Sequence, residues 1–298
     1  MNPIPRFSAV AFAFLAAAFA SAAAPARALA QDDVPKQIAL PQSSPAAAVS
    51  LELGLTKITI DYHSPAVKAR KIWGELVPYQ KVWRTGANDA TTITIADNCK
   101  INGKDLPAGT YALFAIPTRN EWTLLFNKNA KQWGAYFYDA KQDVLRVEVK
   151  PKDAAMRERL IYTIEQTGEG AAVVTLHWEK VAVSFTIEVD VSGITKKKID
   201  DAIAEATPKD WAVYLQAARY YFENQLSDAK AMEWIDKSIA GKESFWNFEL
   251  KAKLLQRGKK TKEAIELLEK AIEMSKGVAP KDYGENLAKL RDEWKKTL

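Results

Sequence analysis

The sequence is poor in the residues that build disulfides and metal sites. Its 298 residues include one cysteine, Cys99, so no intrachain disulfide can form. The only histidines are His63 and His177, whereas a zinc site usually draws on several Cys or His ligands. The sequence therefore predicts no metal site, and a chain of this length can build its core without covalent staples.

Glycine-rich nucleotide loops and basic blocks are missing too. The glycines fall at turn-like positions, and no Gly-rich strand-to-helix fingerprint is present, so no cofactor is predicted. The net charge is +5, but residues 31–192 hold equal numbers of basic and acidic side chains. Nucleic-acid binding needs a concentrated basic face, and the short run Lys196-Lys197-Lys198 does not supply one. A nucleic-acid partner is therefore not expected.

The first thirty residues differ from everything after them. Arg6 precedes an apolar run rich in Ala and Phe over residues 7–20, and the segment closes with Ala28-Leu29-Ala30. A basic start, an apolar middle and a small-x-small end predict a cleavable signal peptide over residues 1–30, with a cut near Ala24 as the alternative. We therefore expect an exported protein, periplasmic or secreted, that has no membrane span after cleavage.

The period of the apolar residues then predicts a β-domain over residues 31–192. From residue 49 to 190 apolar and polar residues alternate, as they do in half-buried strands. Turn signals such as Asn102-Gly103 separate the runs. Eight to ten strands of this kind are typical of an antiparallel β-sandwich, with a barrel as the alternative.

After Gly193 the apolar period changes to 3.6 residues, which predicts an α-helical domain over residues 193–298. The motifs Asp236-Lys237-Ser238-Ile239 and Glu269-Lys270-Ala271-Ile272 lie 33 positions apart. That spacing resembles the tetratricopeptide repeat, although the full repeat signature is absent. The concave face of such a repeat array is a candidate surface for a protein partner.

The β-domain also contains motifs of a known family. They are Lys68-x-Arg70-Lys71-Ile72-Trp73-Gly74, Val82-Trp83-Arg84-Thr85-Gly86-Ala87-Asn88, Leu106-Pro107-Ala108-Gly109-Thr110-Tyr111 and Gln132-Trp133-Gly134-Ala135-Tyr136. On these motifs, residues 36–190 resemble the bacterial family known as domain of unknown function 2911. The resemblance implies an exported β-fold and assigns it no activity.

The strongest candidate site lies in the long segment between the second and third predicted strands. Its six residues are Arg70, Tyr79, Trp83, Arg84, Asn88 and Thr91. Guanidinium groups offer forked donors to an anion, and an indole ring offers a stacking face, so this set predicts a site for a small polar or anionic ligand. The alternative is that the same side chains bond backbone carbonyls and stabilise a long loop. No catalytic residue is predicted.

Further aromatic residues follow the candidate site. Trp122, Trp133 and the aromatic residues 136–138 lie in or near predicted strands, where aromatic side chains usually pack into the core. A core role is the favoured interpretation, and a sugar-binding platform is the alternative.

Three hypotheses for function remain open. The favoured one is a non-enzymatic binding or scaffold module, with a ligand site on the β-domain and partner binding by the helices. The second is an envelope or extracellular hydrolase that uses Arg70, Arg84 and Asn88 to position an anionic group. In the third, the β-domain is purely structural and the helices carry the function. Fold alone decides none of these.

Overall fold

The computed structural model describes residues 40–298, so the predicted signal peptide lies outside the described residues. Within this part of the chain, β-strands precede α-helices. The strands are β1 Ala46–Leu53, β2 Thr56–His63, β3 Thr92–Ile95, β4 Cys99–Ile101, β5 Lys104–Leu106, β6 Gly109–Pro117, β7 Trp122–Asn127, β8 Asp143–Val149, β9 Lys152–Gly168 and β10 Ala171–Glu188. The helices are α1 Val191–Glu205, α2 Trp211–Glu223, α3 Asp228–Gly241, α4 Phe245–Arg257, α5 Thr261–Ser275 and α6 Lys281–Lys295.

The strands form two antiparallel sheets. One has the order β1-β2-β3-β6-β7-β8, and the other has the order β5-β4-β10-β9. Ile60 and Phe126 from the first sheet share one core with Val174 and Phe185 from the second. Alternating burial along β2 explains why this core forms, since its inward residues are apolar and its outward residues polar. The predicted β-domain followed by an α-domain is confirmed, and the two packed sheets make it a sandwich.

The hairpin of β9 and β10 is long and contains a bulge. β10 runs through Glu179 without ending, although polar residues interrupt the apolar pattern there. The backbone of Glu179 is left-handed, with φ of 54°, and the pairing register with β9 shifts on both sides of it. An extra residue in a bulge bends a strand without terminating it, which is why a local break in the apolar pattern did not mark a strand end.

The outer face of the six-stranded sheet is partly covered. Phe114 and Leu125 on β6 and β7 are fully buried there, in a small cluster that includes Ala135 and Tyr138 from the segment between β7 and β8. This segment packs over the middle of the sheet. It does not extend over the outward residues of β1, of which Ala46 and Ala48 are exposed.

The helices after β10 form two pairs at a regular spacing. α2 and α4 begin at residues 211 and 245, 34 positions apart, and α3 and α5 begin at residues 228 and 261, 33 apart. Ser227 and Ser244 cap α3 and α4 with their hydroxyls, and Asp190 caps α1. The likeness to tetratricopeptide repeats is loose and rests on this spacing. No helix within residues 40–298 has both the length and the apolarity that a membrane span requires.

Candidate functional site

The connection from β2 to β3 contains all the predicted site residues. It forms neither a helix nor a long strand, which agrees with the loop that the sequence allowed beside a short helix for residues 68–79. The backbone is left-handed at Lys68, Ala69, Gln80, Thr85 and Asn88, none of which is glycine. Such conformations cost free energy, and they persist where the surrounding structure enforces them, most often at functional sites.

Hydrogen bonds to β6 hold the middle of this connection in place. Trp83 exchanges two backbone hydrogen bonds with Ala115, at N···O distances of 2.8 and 2.9 Å. Two residues later, the buried Thr85 hydroxyl donates to the Leu113 carbonyl oxygen at 2.8 Å. Trp83 and its neighbours are therefore positioned by the sheet itself, which gives the site a rigid support.

A cavity of about 290 Å³ brings four of the six predicted residues together. Arg70, Trp83, Arg84 and Asn88 line it, and Tyr79 and Thr91 do not. The full lining is Ser43, Ser44, Pro65, Ala66, Lys68, Arg70, Leu76, Val77, Trp83, Arg84, Gly86, Ala87, Asn88 and Trp178. We refer to it as the Arg84 pocket.

The two residues outside the Arg84 pocket contribute to the loop instead. Thr91 is fully buried, and its hydroxyl donates to the Thr85 carbonyl oxygen at 3.1 Å. Tyr79 lies with its ring under the guanidinium of Arg119, 5.9 Å from the ring centroid. Neither side chain reaches the cavity, so any role they have is in shaping the loop.

Four tryptophans pack together behind the cavity. Trp73, Trp83, Trp122 and Trp178 have ring centroids 5.0–6.0 Å apart, and Trp83 and Trp178 are stacked with an interplanar angle of 19°. Trp178 is 1% exposed, yet its indole N–H has no acceptor among residues 40–298. The buried indole N–H of Trp73 also has no acceptor among these residues. Buried donors are almost always paired, so both unpaired N–H groups are unusual.

Arg70 and Asn88 bond to the protein. The Arg70 guanidinium donates to the carbonyl oxygens of Val67 and Ala66, at 3.0 and 2.6 Å, and so closes the turn over residues 66–70. The Asn88 side-chain amide donates to the Gln42 side-chain oxygen at 2.7 Å. The loop-supporting interpretation therefore accounts for most of what these two side chains do.

Arg84 is different, because its guanidinium lacks a counter-charge. Its Nε is buried and has no hydrogen-bond partner within the described chain. Burial lowers the pKa of Arg84, and the nearby Tyr136 opposes this with a smaller upward effect. Arginine remains protonated in proteins, so the site keeps a half-buried positive charge without a carboxylate to neutralise it.

The charges around the Arg84 pocket all have one sign. Lys68, Arg70 and Arg84 line it, and no lining residue is Asp, Glu or His. At the exposed end of this region, the Glu158 carboxylate accepts the backbone N–H of Lys68 at 2.9 Å. Cationic side chains around a small cavity favour an anion with several acceptor oxygens.

Sequence reasoning missed Lys68 and Trp178. Lys68 lies in a family motif, but a lysine near two arginines has no spacing that indicates a site. Trp178 comes from β10, more than 90 positions away, and stacks on Trp83 only because the two sheets pack face to face. No local signal in the sequence points to it.

Residues 44–187 match a family model described as "Protein of unknown function (DUF2911)". The β-domain belongs to this family. The match covers the strands from β1 almost to the end of β10, which confirms the resemblance seen in the motifs, and leaves the helices outside. Nothing among curated proteins or solved structures matches the chain. Membership in DUF2911 carries no assigned activity, so the function must be argued from the site.

Proposed function

We propose that this chain is an exported, non-enzymatic binding protein whose β-domain binds a small anionic ligand in the Arg84 pocket. One observation carries the proposal: a half-buried guanidinium with an unpartnered Nε lines a cavity that has three cationic and no acidic lining residues. Leaving a buried charge unpaired costs stability, so selection for binding is the simplest reason to keep it.

The size of the cavity limits the ligand. About 290 Å³ lies at the lower end of the range for small-molecule sites, which suits a compact anion such as a phosphate, a sulfate or a short carboxylic acid. The stacked Trp83 and Trp178 form an apolar side against which the carbon part of an organic acid packs. The exported location follows from the signal-like segment at residues 1–30 and is part of the proposal.

The hydrolase alternative has no supporting observation. The lining residues of the Arg84 pocket include the two hydroxyls of Ser43 and Ser44 but no His, Cys or carboxylate that would serve as a general base beside them. Cys99 lies elsewhere, and burial raises its thiol pKa to about 12, so it is a poor nucleophile. Partner binding by α1–α6 stays a prediction from the sequence.

The test is ligand-induced stabilisation of the purified full chain at low ionic strength. Phosphate, sulfate and succinate are the probes, and thermal unfolding is the readout. A ligand present at 100 times its Kd stabilises a protein by about 2.7 kcal/mol, which raises the melting temperature by several degrees. We expect at least one of the three anions to do so, and added sodium chloride to weaken the effect.

Arg84→Ala is the decisive variant, and Arg157→Ala is its matched control. Arg157 is an exposed residue on β9 outside the pocket, so both variants lose one positive charge. Arg157→Ala should respond to the anion as the wild type does, and Arg84→Ala should not respond. The proposal is wrong if none of the three anions stabilises the wild type, or if Arg84→Ala responds equally.

A further inference from the structure

A second and larger cavity lies on the other side of the segment 88–90. It is a groove of about 730 Å³, and the strands β1, β2 and β3 form its floor. Pairing across these strands aligns Ala46 with His63, and Ala48 with Asp61 and then with Thr92. Paired residues point to the same face, and these residues alternate with the buried ones, so the groove lies on the outer face of the six-stranded sheet.

Small side chains keep the floor of this groove open. Ala46 and Ala48 are exposed and present only methyl groups where most strand residues would fill the space. Part of the segment between β7 and β8 covers the neighbouring strands, and its residues 130–133 line the groove. The two alanines of β1 therefore leave the floor open, and residues 130–133 border it.

The wall of the groove is a segment fastened by backbone hydrogen bonds. Ala90 donates its N–H to the carbonyl oxygen of Gln132, and Gly134 donates to that of Asn88, both at 3.0 Å. Gln132 is 8% exposed, and its side-chain amide donates to the carbonyl oxygen of Asn129 at 2.7 Å. Its side-chain oxygen is buried and has no donor within residues 40–298.

An aromatic pair stands beside that acceptor. The rings of Trp133 and Tyr136 stack with centroids 5.5 Å apart and an interplanar angle of 8°. Both side chains are largely exposed, at 57% and 75%, and Trp133 also lines the groove. Gly134 permits this arrangement, because it has φ of 67° and a Cβ there would lie 2.8 Å from the Tyr136 ring. Tyr136 covers one face of the indole and leaves the other available to a flat apolar surface.

The aromatic residues for which the sequence favours a core role fall into two groups. Trp122 is a core residue, 2% exposed within the tryptophan cluster. Trp133, Tyr136 and Phe137 are exposed, so the favoured core role does not describe them. The surface interpretation applies to these three.

Two carboxylates supply hydrogen-bond acceptors to the groove. Asp61 and Asp89 both line it, and neither carboxylate forms an ion pair within the described chain. Thr92 adds a hydroxyl, and Lys131 and His63 also line the groove. Carboxylates repel anions but accept hydrogen bonds from hydroxyl groups. The groove therefore contains carboxylates, whereas the charged residues that line the Arg84 pocket are all cationic.

We propose that this groove is a binding site for a neutral carbohydrate, with one pyranose ring stacked on the free face of Trp133 and its hydroxyls donating to Asp61 and Asp89. A pyranose presents both a C–H face for the indole and many hydroxyl donors for these acceptors. The volume of about 730 Å³ is sufficient for more than one ring, so an oligosaccharide is the expected ligand.

The first experiment fills the groove without removing any of its contacts. Ala48→Tyr places a ring over the floor, and an aromatic residue suits an exposed strand position, so the variant should fold. Ser50→Tyr is the matched control, because Ser50 lies two residues further on β1, faces the same side, is exposed and does not line the groove. The probe is an immobilised panel of neutral oligosaccharides of glucose, galactose, mannose and N-acetylglucosamine, followed by calorimetric titration of the members that bind.

We expect the wild type and Ser50→Tyr to bind the same member of the panel, and Ala48→Tyr to lose that binding. Trp133→Ala should weaken it about tenfold, and Trp246→Ala, an exposed tryptophan of α4, should leave it unchanged. The proposal fails if no neutral oligosaccharide binds at about 1 mM, or if Ala48→Tyr and Trp133→Ala both bind as tightly as the wild type. Anion binding at Arg84 is measured separately, so either proposal can fail alone.

Discussion

The β-domain and the helical region treat their buried polar groups differently. In the helices, the buried Asn247 is satisfied on both sides of its amide, which accepts from the Ser244 N–H at 3.0 Å and donates to the Lys242 carbonyl at 2.8 Å. In the β-domain, Trp73, Trp178, Arg84 and Gln132 each keep a buried polar atom without a partner, whereas the helical region has one such residue, Gln256.

The positions of the unpaired groups in the β-domain give this difference its meaning. Three of the four residues of the β-domain line the Arg84 pocket or the larger groove, and the fourth, Trp73, packs on Trp83 and Trp178. Unpaired buried groups are costly anywhere in a protein. Their concentration at the cavities of the β-domain is one reason why we place the proposed ligand sites in this half.

The sharpest test on the helical side is Asn247→Ala. The change removes the capping box of α4, leaves the buried Ser244 N–H without its acceptor, and takes the donor from the Lys242 carbonyl. We expect a loss of about 2–3 kcal/mol in the free energy of unfolding, measured by urea denaturation and circular dichroism. Asn224→Ala is the control, because that exposed amide bonds only the Tyr220 carbonyl and should cost less than about 0.5 kcal/mol. Equal effects of the two changes would contradict the contrast between the regions.

Arg159→Ala tests a structural arginine inside the β-domain. Its guanidinium donates to the carbonyl oxygens of Ser64 and Ser43, at 3.0 and 3.4 Å, and so ties β9 to the start of the loop. Because the side chain is largely exposed, we expect a loss of about 1 kcal/mol in thermal or urea unfolding. If stability does not fall, even a hydrogen-bonded arginine of this domain contributes little to stability. Arg159 would then no longer serve as the structural reference for Arg84.

Arg84→Ala should have the smallest effect on stability of the three changes. Unlike the truncation of a neutral side chain, it also removes a charge. The guanidinium is half-buried and its Nε has no partner, so its removal deletes no bond and relieves a desolvation cost. We expect the free energy of unfolding to change by less than about 0.5 kcal/mol or to rise. A fall of about 2 kcal/mol would instead identify Arg84 as a structural anchor, and the proposed pocket would lose its central residue.

For the Arg84 pocket, four of the six residues chosen from the sequence lie in the cavity lining. Arg70, Trp83, Arg84 and Asn88 do line one cavity, because they lie within 19 positions on a single connection that the sheet constrains. Tyr79 and Thr91 lie on the same connection, but their side chains turn toward the loop and the core. Proximity in sequence identified the segment but not the direction of each side chain, because the left-handed residues change the direction of the backbone.

The larger groove shows the opposite case. Asp61, Asp89 and Gln132 come from three separate segments, and no spacing relates them. Trp133 and Tyr136 were assigned to the core on the usual behaviour of aromatic residues near strands. The turn at Gly134 instead projects both rings to the surface.

By itself, the sequence determined the order of the two regions and the type of each element, because the apolar periods of 2 and 3.6 residues are local consequences of strand and helix geometry. The Asn102-Gly103 turn between β4 and β5 is equally local, with φ of 47° and 78° at its two residues. The tertiary structure alone decided the sites. Which residues line a cavity depends on strand register and on the packing of one sheet against another, and these arise from contacts between segments that are distant along the chain.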